Sequence, residues 1–206
     1  MTLVSIHATS VIEDGAVLGE GTYVGPFCHV RGGARVGRDC VLGQGCYVAP
    51  GVVIGDRSRI QNGVSLYAGV LVGDEVFLGP HCVFTNVREP RAIVDRRDQL
   101  GSIRLGVGAS VGANATIVAG VELFPHAFVA AGATVTRSVA AYAVVAGVPA
   151  RAQGFRSRHG EALVFVDGRA RCGLGGLSYA LEGGAVRCLD FPDDAPWGSR
   201  VRIGAG

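Results

Sequence analysis

Between Gly79 and Arg91 the sequence GPHCVFTNVREPR holds side chains suited to chemistry on a polar substrate. Histidine changes charge nearest to neutral pH, so His81 can accept a proton or orient a substrate. Arg88 and Arg91 carry planar guanidinium groups that can bind phosphate or carboxylate through paired hydrogen bonds. Both arginines can equally be solvated surface residues, and we favour the binding interpretation.

A six-residue repeat defines the elements that must position these side chains. A large apolar residue recurs every six positions from Ile6 to Phe84, and again from Leu105 to Val135. The residue four positions later is small or β-branched, and the residue directly after is often glycine, which suits a tight or positive-φ corner. Strands this short can bury their inward side chains only by stacking, so the pattern predicts an all-β solenoid.

The cysteines and histidines do not form a pattern typical of a metal site. Four of the six cysteines fall on the small inward position of the repeat, where a thiol acts as apolar filler: Cys28, Cys40, Cys46 and Cys82. Cys172 and Cys188 lack the spacing of a zinc site, and the five histidines are widely scattered. We predict no metal, and we expect His7, His126 and His159 to be plain surface residues.

Charge and composition exclude some classes of partner. The 206 residues carry a net charge of +2, with 19 basic residues scattered among 17 acidic ones, which gives no reason to invoke nucleic acid. The longest weakly polar run, from Ser138, is shorter than a membrane span and contains Pro149. The N-terminus lacks a signal-peptide pattern, so we expect no membrane association and a cytoplasmic protein.

The repeat is interrupted after Phe84. From Phe84 to Leu105 is 21 residues, which is three repeats plus three, so residues 85–104 cannot continue the coil in register. Pro90 restricts the residue before it to an extended conformation, and the segment is rich in Arg and Asp. The sequence predicts a protruding loop over 85–104, and loops on a regular scaffold often carry function.

Four segments resemble a known family. The sequences IQNGVSLY, GPHCVFTNVREPRA, GASVGANATIVAGV and AYAVVAGVPARAQGF begin at Ile60, Gly79, Gly108 and Ala141. They are similar to hexapeptide-repeat nucleotide-sugar N-acetyltransferases, above all those that acetylate UDP-2-acetamido-3-amino-2,3-dideoxyglucuronate, and the likeness covers nearly all of residues 5–160. It implies a left-handed parallel β-helix of three-sided, eighteen-residue coils with a protruding loop and a small C-terminal cap.

The resemblance also implies an activity and an assembly. An acetyl group passes from acetyl-CoA to the 3-amino group of a nucleotide-linked sugar, in a homotrimer with active sites between subunits. Asn86 of the FTN sequence is expected to contact the reacting amine. A free amine is already nucleophilic, so positioning and a hydrogen bond to the developing oxyanion do much of the work. Such an enzyme serves surface polysaccharide or glycosylated natural product assembly.

The same resemblance assigns domains and binding residues. Residues 1–140 are the acyltransferase domain, and residues 141–206 are a coenzyme A-contacting segment with a small capping hairpin region. Coenzyme A is expected at Gly112, Ala113, Asn114, Ala131, Gly132, Arg137, Gly147, Pro149 and Arg151. The nucleotide sugar is expected at His29, Gln44, Gln61, Asn62, Tyr67, Arg88 and Arg91.

Two departures from the family are stacked on each other. The relatives usually carry IQNN and GPS where this chain has Gly63 and His81, and an eighteen-residue coil places these two residues in one column. We infer a compensated swap, in which Gly63 makes room for the imidazole of His81. Further departures, at Ala68, Arg88 and Glu89, leave the identity of the sugar open.

Two other functions fit the same sequence. An O-acetyltransferase acting on a sugar hydroxyl would need His81 as a general base, because a hydroxyl requires deprotonation. A noncatalytic hexapeptide-repeat binding protein would share the solenoid and would not bind coenzyme A. The nucleotide base, UDP or dTDP, and the C5 substituent of the sugar are left open.

Overall fold

Three parallel sheets form the faces of a solenoid of about eight turns. The structure, a computed structural model, describes residues 3–198. The first face consists of Ser5–Ile6, Tyr23–Val24, Val41–Leu42, Arg59–Ile60, Phe77–Leu78, Ser110–Val111, Phe128–Val129, Ala143–Ala146 and the antiparallel strand Arg151–Phe155. The second consists of Val11–Ile12, His29–Val30, Tyr47–Val48, Ser65–Leu66, Val83–Phe84, Thr116–Ile117 and Thr134–Val135. The third consists of Val17–Leu18, Arg35–Val36, Val53–Ile54, Val70–Val72, Ile103–Leu105 and Glu122–Leu123.

Strand register confirms the eighteen-residue coil. Val41 pairs with Tyr23 below it and with Arg59 above it, each eighteen positions away. Across the interruption Val72 pairs with Leu105, which is 33 positions away rather than 18, so the chain inserts 15 residues and then resumes the same face. The all-β solenoid is therefore confirmed, and its left-handed sense stays an expectation from the hexapeptide resemblance.

The inward positions fill the core as the repeat predicts. Large side chains such as Leu42, Ile60 and Leu78 are fully buried, and small ones such as Ala34 lie between them. Burial of one such aliphatic side chain contributes about 1.5–3 kcal/mol. Ile6 belongs to the first coil, has no coil beneath it, and remains 45% exposed.

The glycines that follow the aliphatic residues are required by close packing rather than by positive φ. A Cβ at Gly79 would lie 2.6 Å from the backbone nitrogen of Ala113 and 2.8 Å from the carbonyl carbon of Gly112, one coil above. The positive φ falls two residues later, as at His81 after Gly79 and Arg57 after Gly55. The close approach of neighbouring coils, and not a positive φ, therefore explains why glycine follows the aliphatic residues.

The inward cysteines are buried free thiols, which confirms their role as filler. Burial raises the pKa of Cys40 to about 11 and that of Cys82 to about 12, so both stay neutral at physiological pH. Cys40 also donates its thiol proton to the carbonyl oxygen of Gly55, at 3.1 Å. Their burial keeps these thiols from acting as exposed nucleophiles.

The loop leaves and rejoins the coil close to the predicted positions. Thr85 still donates its N–H to the Ile117 carbonyl, at 3.0 Å, so the chain departs at Asn86. Within the loop a short 3₁₀ turn covers Arg97–Gln99. Residues 103 and 104, which the repeat pattern assigns to the loop, already belong to the strand Ile103–Leu105, because the Ile103 side chain is fully buried in the core.

The C-terminal region is a three-stranded antiparallel sheet rather than a hairpin. Its strands are Arg169–Arg171, Ser178–Glu182 and Ala185–Cys188. This sheet has its own apolar cluster, which includes Tyr142 of the last coil and Tyr179. The first face of the solenoid continues past residue 140 through Ala143–Ala146, and residues 199–206 of the expected second region lie outside the described residues.

Arg158 and Glu75 hold the end of the described chain against the solenoid. The Arg158 guanidinium donates to His126 Nε2 at 3.0 Å and to the carbonyl oxygens of Pro192, Asp193 and Ala195. It also lies 5.4 Å from the centre of the Trp197 ring. The carboxylate of Glu75 accepts the backbone N–H groups of residues 197 and 198, at 2.8 and 3.0 Å.

No helix among residues 3–198 has both the length and the apolar character that crossing a membrane requires.

Candidate functional site

The corner between the first and second faces stacks several of the predicted site residues. We call it corner 1, and it consists of Phe27, Gly45, Gly63, His81, Asn114 and Gly132, whose backbone N–H groups or flanking residues bond from coil to coil. Neighbouring members are one strand spacing, about 4.8 Å, apart. The backbone N–H of His81 donates to the Asn62 carbonyl at 2.9 Å, and its side chain is exposed.

The imidazole of His81 lies in the space that Gly63 leaves empty. A Cβ placed on Gly63 would contact both Nδ1 and Cε1 of the His81 ring. The compensated swap inferred from the sequence is therefore confirmed as a packing relationship. The imidazole packs against the coil below and is exposed to solvent at corner 1.

This stacking leads to a stability prediction. Gly63→Asn should lower the free energy of unfolding by about 2 kcal/mol, because the new side chain overlaps the His81 ring. Adding His81→Ser should recover most of that loss, since it empties the occupied space. Urea denaturation followed by circular dichroism measures both variants.

The control is Gly45→Asn, one coil below. Gly45 has a similar φ of +67°, against +70° for Gly63, but an added Cβ there would meet no atom within 4 Å. Asparagine tolerates positive φ, so this variant should stay within about 0.5 kcal/mol of the parent. An equal loss at Gly45 and Gly63 would show that backbone strain, and not the imidazole, causes the effect.

Gln44 and Asn62 stand beside corner 1, but Asn62 has a structural task. Its Oδ1 accepts the backbone N–H of Gln44 on the coil below, at 2.9 Å. Asp56 and Asp74 do the same for the coils below them, each at 2.8 Å. The side-chain oxygen of Asn62 thus stabilises the stacking of two coils. Its side-chain NH₂ group is the part of Asn62 that can bind a ligand. Gln61 precedes it and is half-buried.

The predicted coenzyme A positions of the upper coils form the continuation of corner 1. Asn114 lies directly above His81, with φ +57° and an exposed side chain, and Gly132 lies above it with no atom within 4 Å of an added Cβ. Ala113 and Ala131 stand next to them. Gly112 is fixed by packing, because a Cβ there would press into the backbone of Ala131.

The remaining predicted donor residues lie at the C-terminal end of the solenoid. Arg137 and Arg151 line one cavity of about 350 Å³, together with Phe155 and Gly184. Gly147 and Pro149 form the exposed turn between the last two strands of the first face, with a cis bond before the proline. The structure therefore brings the two arginines together.

A polar and aromatic patch covers the second face on the lower coils. His29 Nε2 lies 2.8 Å from Glu13 Oε1, and the Arg31 guanidinium also contacts this carboxylate. The backbone N–H of residue 32, with these two side chains, lowers the pKa of Glu13 to about 2. The rings of His29, Tyr47 and Tyr67 follow one another at centroid distances of 5.9 Å. Glu13, Arg31 and Tyr47 were not among the expected site residues.

Asn86 lines a cavity in the loop. This cavity, of about 770 Å³, is open to solvent and is lined by residues between 86 and 100, among them Arg91 and Arg96. Arg91 is exposed, and its guanidinium donates only to the Pro90 carbonyl, at 3.1 Å, among the described residues. Arg88 instead donates Nε to the Ala119 carbonyl at 3.1 Å, so part of its donor capacity is used within the protein.

Two family models match the repeats. The model for the bacterial transferase hexapeptide (six repeats) matches residues 15–50 and 51–86, and that for the hexapeptide repeat of succinyl-transferase matches 33–68 and 102–137. Together they cover more than half of the chain. The chain therefore contains hexapeptide repeats over residues 15–86 and 102–137.

Two curated proteins are similar to parts of this hexapeptide-repeat protein. A dTDP-3-amino-3,6-dideoxy-alpha-D-galactopyranose 3-N-acetyltransferase of Aneurinibacillus thermoaerophilus is 44% identical over 68 residues, 33% of this chain and 35% of that protein. An acyl-[acyl-carrier-protein]--UDP-N-acetylglucosamine O-acyltransferase of Mesorhizobium japonicum is 62% identical over 26 residues, 13% of this chain and 9% of that protein. The matched part thus spans about a third of the first relative and less of the second.

Among solved structures, the acetyltransferase domain of PglB from Neisseria gonorrhoeae with acetyl coenzyme A is 16% identical, with a TM-score of 0.49. PerB from Caulobacter crescentus, with CoA and GDP-perosamine, is 20% identical, with a TM-score of 0.48. Each alignment covers 74% of this hexapeptide-repeat protein and 58% of the other chain.

Within one hexapeptide-repeat chain, His81 and Asn86 lie at opposite ends of the second face. Five residues of nearly extended chain separate them, which allows a distance on the order of 15 Å. The residues that line the Asn86 cavity do not include His81. Within one chain, the two expected catalytic residues therefore lie apart, His81 at corner 1 and Asn86 in the loop.

The expectation that His126 is a plain surface residue is wrong. His126 is 6% exposed, and burial, followed by the charge of Arg158, lowers its pKa to about 3. Its ring lies over Gly108, where an added Cβ would contact Nδ1, just as the His81 ring lies over Gly63. The eighteen-residue spacing of Gly108 and His126 could have shown this stacking in the sequence, whereas the burial comes from contacts with the C-terminal region such as that of Arg158. Among residues 3–198 no group of three potential ligands is placed to hold a metal ion.

Proposed function

We propose that this protein transfers the acetyl group of acetyl-CoA to the 3-amino group of a nucleotide-linked amino sugar, of the UDP- or dTDP-3-amino-dideoxyhexose type. The observation that carries the proposal is the position of Asn86, which lines the loop cavity where the chain leaves the coil. The 44% identity over 68 residues to a protein named as a dTDP-3-amino-sugar N-acetyltransferase supports the choice of acceptor.

The proposed reaction is direct attack by the amine. The amine nitrogen forms a bond to the thioester carbonyl carbon, the carbon–sulfur bond breaks, and the amine proton passes to the departing coenzyme A thiolate. Asn86 would hold the amine in place, and a backbone N–H group would stabilise the developing oxyanion. No strong base is needed, because the unprotonated amine is itself nucleophilic.

A site shared between copies of the chain fits this division of residues. Corner 1 carries His81 and the expected coenzyme A positions of the upper coils, whereas Asn86 lies beyond the far end of the second face. In a homotrimer, corner 1 of one prism can face the loop of its neighbour. The donor residues would then come from one subunit and the acceptor residues from the next.

The test is an acetyl-transfer assay with a panel of acceptors. The protein is incubated with acetyl-CoA and UDP- or dTDP-linked 3-amino sugars, and free thiol and the acetylated sugar are measured. The protein's own cysteines are all buried, which keeps the thiol background low. We expect turnover with at least one 3-amino sugar and none with its 3-hydroxy analogue. No thiol release with any amine would overturn the proposal, and absence of coenzyme A binding by calorimetry would favour the noncatalytic interpretation.

The O-acetyltransferase alternative is kept because His81 is exposed directly below Asn114. In the same assay His81→Ala separates the two reactions. Amine transfer should fall by less than about tenfold, whereas a hydroxyl acceptor would need the base and should lose about 100-fold or more. Turnover of the 3-hydroxy sugar that depends on His81 would establish the alternative.

A further inference from the structure

The base of the loop is fixed by three contacts, two of which reach the coil above it. Thr85 Oγ1 accepts the backbone N–H of Ala119, at 2.9 Å. The Asn86 carbonyl accepts the N–H of Gly101, at 2.8 Å, and this bond closes the loop. Arg88 Nε then donates to the Ala119 carbonyl, at 3.1 Å. Asn86 thus stands between two residues that are both bonded to Ala119.

The Arg88 contact depends on the shape of the neighbouring corner. The guanidinium lies against Gly120, which has φ +85°, and a Cβ there would be 3.1 Å from the terminal nitrogen of Arg88. A charged donor makes a stronger hydrogen bond to a carbonyl than a neutral one does. Arg88 also lies outside the lining of the Asn86 cavity, unlike Arg91. Its side chain is directed toward the coil by the bond to Ala119, and it lines a separate cavity of about 280 Å³ beside Ala119 and Gly120.

We propose that Arg88 is a positioning residue that pins the start of the loop to Ala119 and so fixes Asn86 toward the acceptor amine, rather than a residue that binds the nucleotide sugar. This role rests on the proposed function for its catalytic consequence. The anchoring itself is a property of the free protein. It replaces the earlier expectation that Arg88 contacts the substrate.

The experiment compares Arg88→Met, which keeps the length of the side chain without a donor, with Arg88→Lys, which keeps a donor. Hydrogen exchange of the whole protein is measured by mass spectrometry on peptides that cover residues 85–102 and 116–121. For Arg88→Met we expect exchange in both segments to rise about tenfold, while peptides from the lower coils stay unchanged. Arg88→Lys should remain within about threefold of the parent.

Kinetics provide the second measurement. Arg88→Met should lower kcat about tenfold and leave the KM for the nucleotide sugar within about twofold, because ground-state binding is retained while placement is lost. A raised KM with an unchanged kcat would identify Arg88 as a binding residue and overturn the proposal. Unchanged exchange in the two segments would also overturn it. Because exchange needs no substrate, it decides the anchoring even if acetyl transfer is absent.

Gly120→Ala tests the same contact from the other side. The new methyl group should push the guanidinium away and reproduce the exchange change of Arg88→Met. Gly51→Ala is the matched control, since Gly51 occupies the same corner with φ +76° and has no atom within 4 Å of an added Cβ. It should leave the exchange of residues 85–102 unchanged. In the double variant Gly120→Ala/Arg88→Met the two effects should not add, and full additivity would contradict the contact.

Discussion

Asn86→Ala should lower kcat/KM for the amino-sugar acceptor by about 100-fold, which corresponds to about 2.7 kcal/mol of transition-state stabilisation. Asn86 lines the cavity, and under the proposed function loss of its amide would leave the amine unpositioned. The loop should stay closed, because the bond to Gly101 uses the backbone carbonyl of Asn86 and not its side chain. The acetyl-transfer assay measures the effect, and hydrogen exchange of residues 85–102 should be unchanged.

Gln99→Ala is the matched control for this variant. Gln99 is also an amide in the loop, but it is exposed and does not line the Asn86 cavity. Its side chain accepts a hydrogen bond from Arg96, at 2.8 Å. We expect activity within about threefold of the parent. If Gln99→Ala lost as much activity as Asn86→Ala, the general order of the loop would explain both, and the role of the Asn86 amide would fail.

Arg158→Ala should destabilise the C-terminal sheet by about 3 kcal/mol. The change removes donors to His126 and to three backbone carbonyls, and leaves partly buried acceptors unpaired. Trp197 is the only tryptophan of the chain and lies beside Arg158, so its fluorescence in urea reports this unit directly. Arg187→Ala is the control, because Arg187 is exposed and, among residues 3–198, its side chain makes only a long ion pair, at 3.5 Å, with Glu182. It should change stability by less than about 0.5 kcal/mol.

The same contacts make the C-terminal sheet sensitive to acid. His126 has a folded-state pKa of about 3, below the ordinary value of 6.5, so the unfolded chain binds the proton more readily. The stability of the neutral form is fully present above pH 6.5 and is lost as pH falls toward 3. The Trp197 transition should therefore move to lower urea between pH 6.5 and 4. His126→Phe should weaken this dependence, and an unchanged dependence would show that other groups cause it.

The repeating part of the fold could be predicted because every coil packs the same kinds of residue into its core. The large and small inward residues recur in coil after coil, so single exceptions do not hide the six-residue period. The C-terminal sheet has no such period, and its position depends on contacts between distant residues. Trp197 meets Glu75 across 122 positions, and local sequence carries no sign of that contact. The burial of His126 by this region was missed for the same reason.

The site could be predicted where it follows the coil. The eighteen-residue coil and the departures from the family at both positions together pair Gly63 with His81, and the structure confirms their packing. The contact of Arg88 with the coil could not be found in this way, because its acceptor is the carbonyl of Ala119, 31 positions away on the next coil. An arginine in a loop looks like a substrate ligand until the direction of its side chain is known.

The direct pairing of Val72 with Leu105 makes the loop a side branch of the solenoid. Closing an insertion of this length costs roughly 2 kcal/mol of chain entropy, and that cost grows only with the logarithm of length. By contrast, adding a single residue within a strand would exchange the inward and outward side chains of the positions that follow. Evolution can therefore lengthen, shorten or replace this loop at small thermodynamic cost while the scaffold keeps its spacing. Under the proposed function, substrate preference and folding are then inherited on separate parts of one chain.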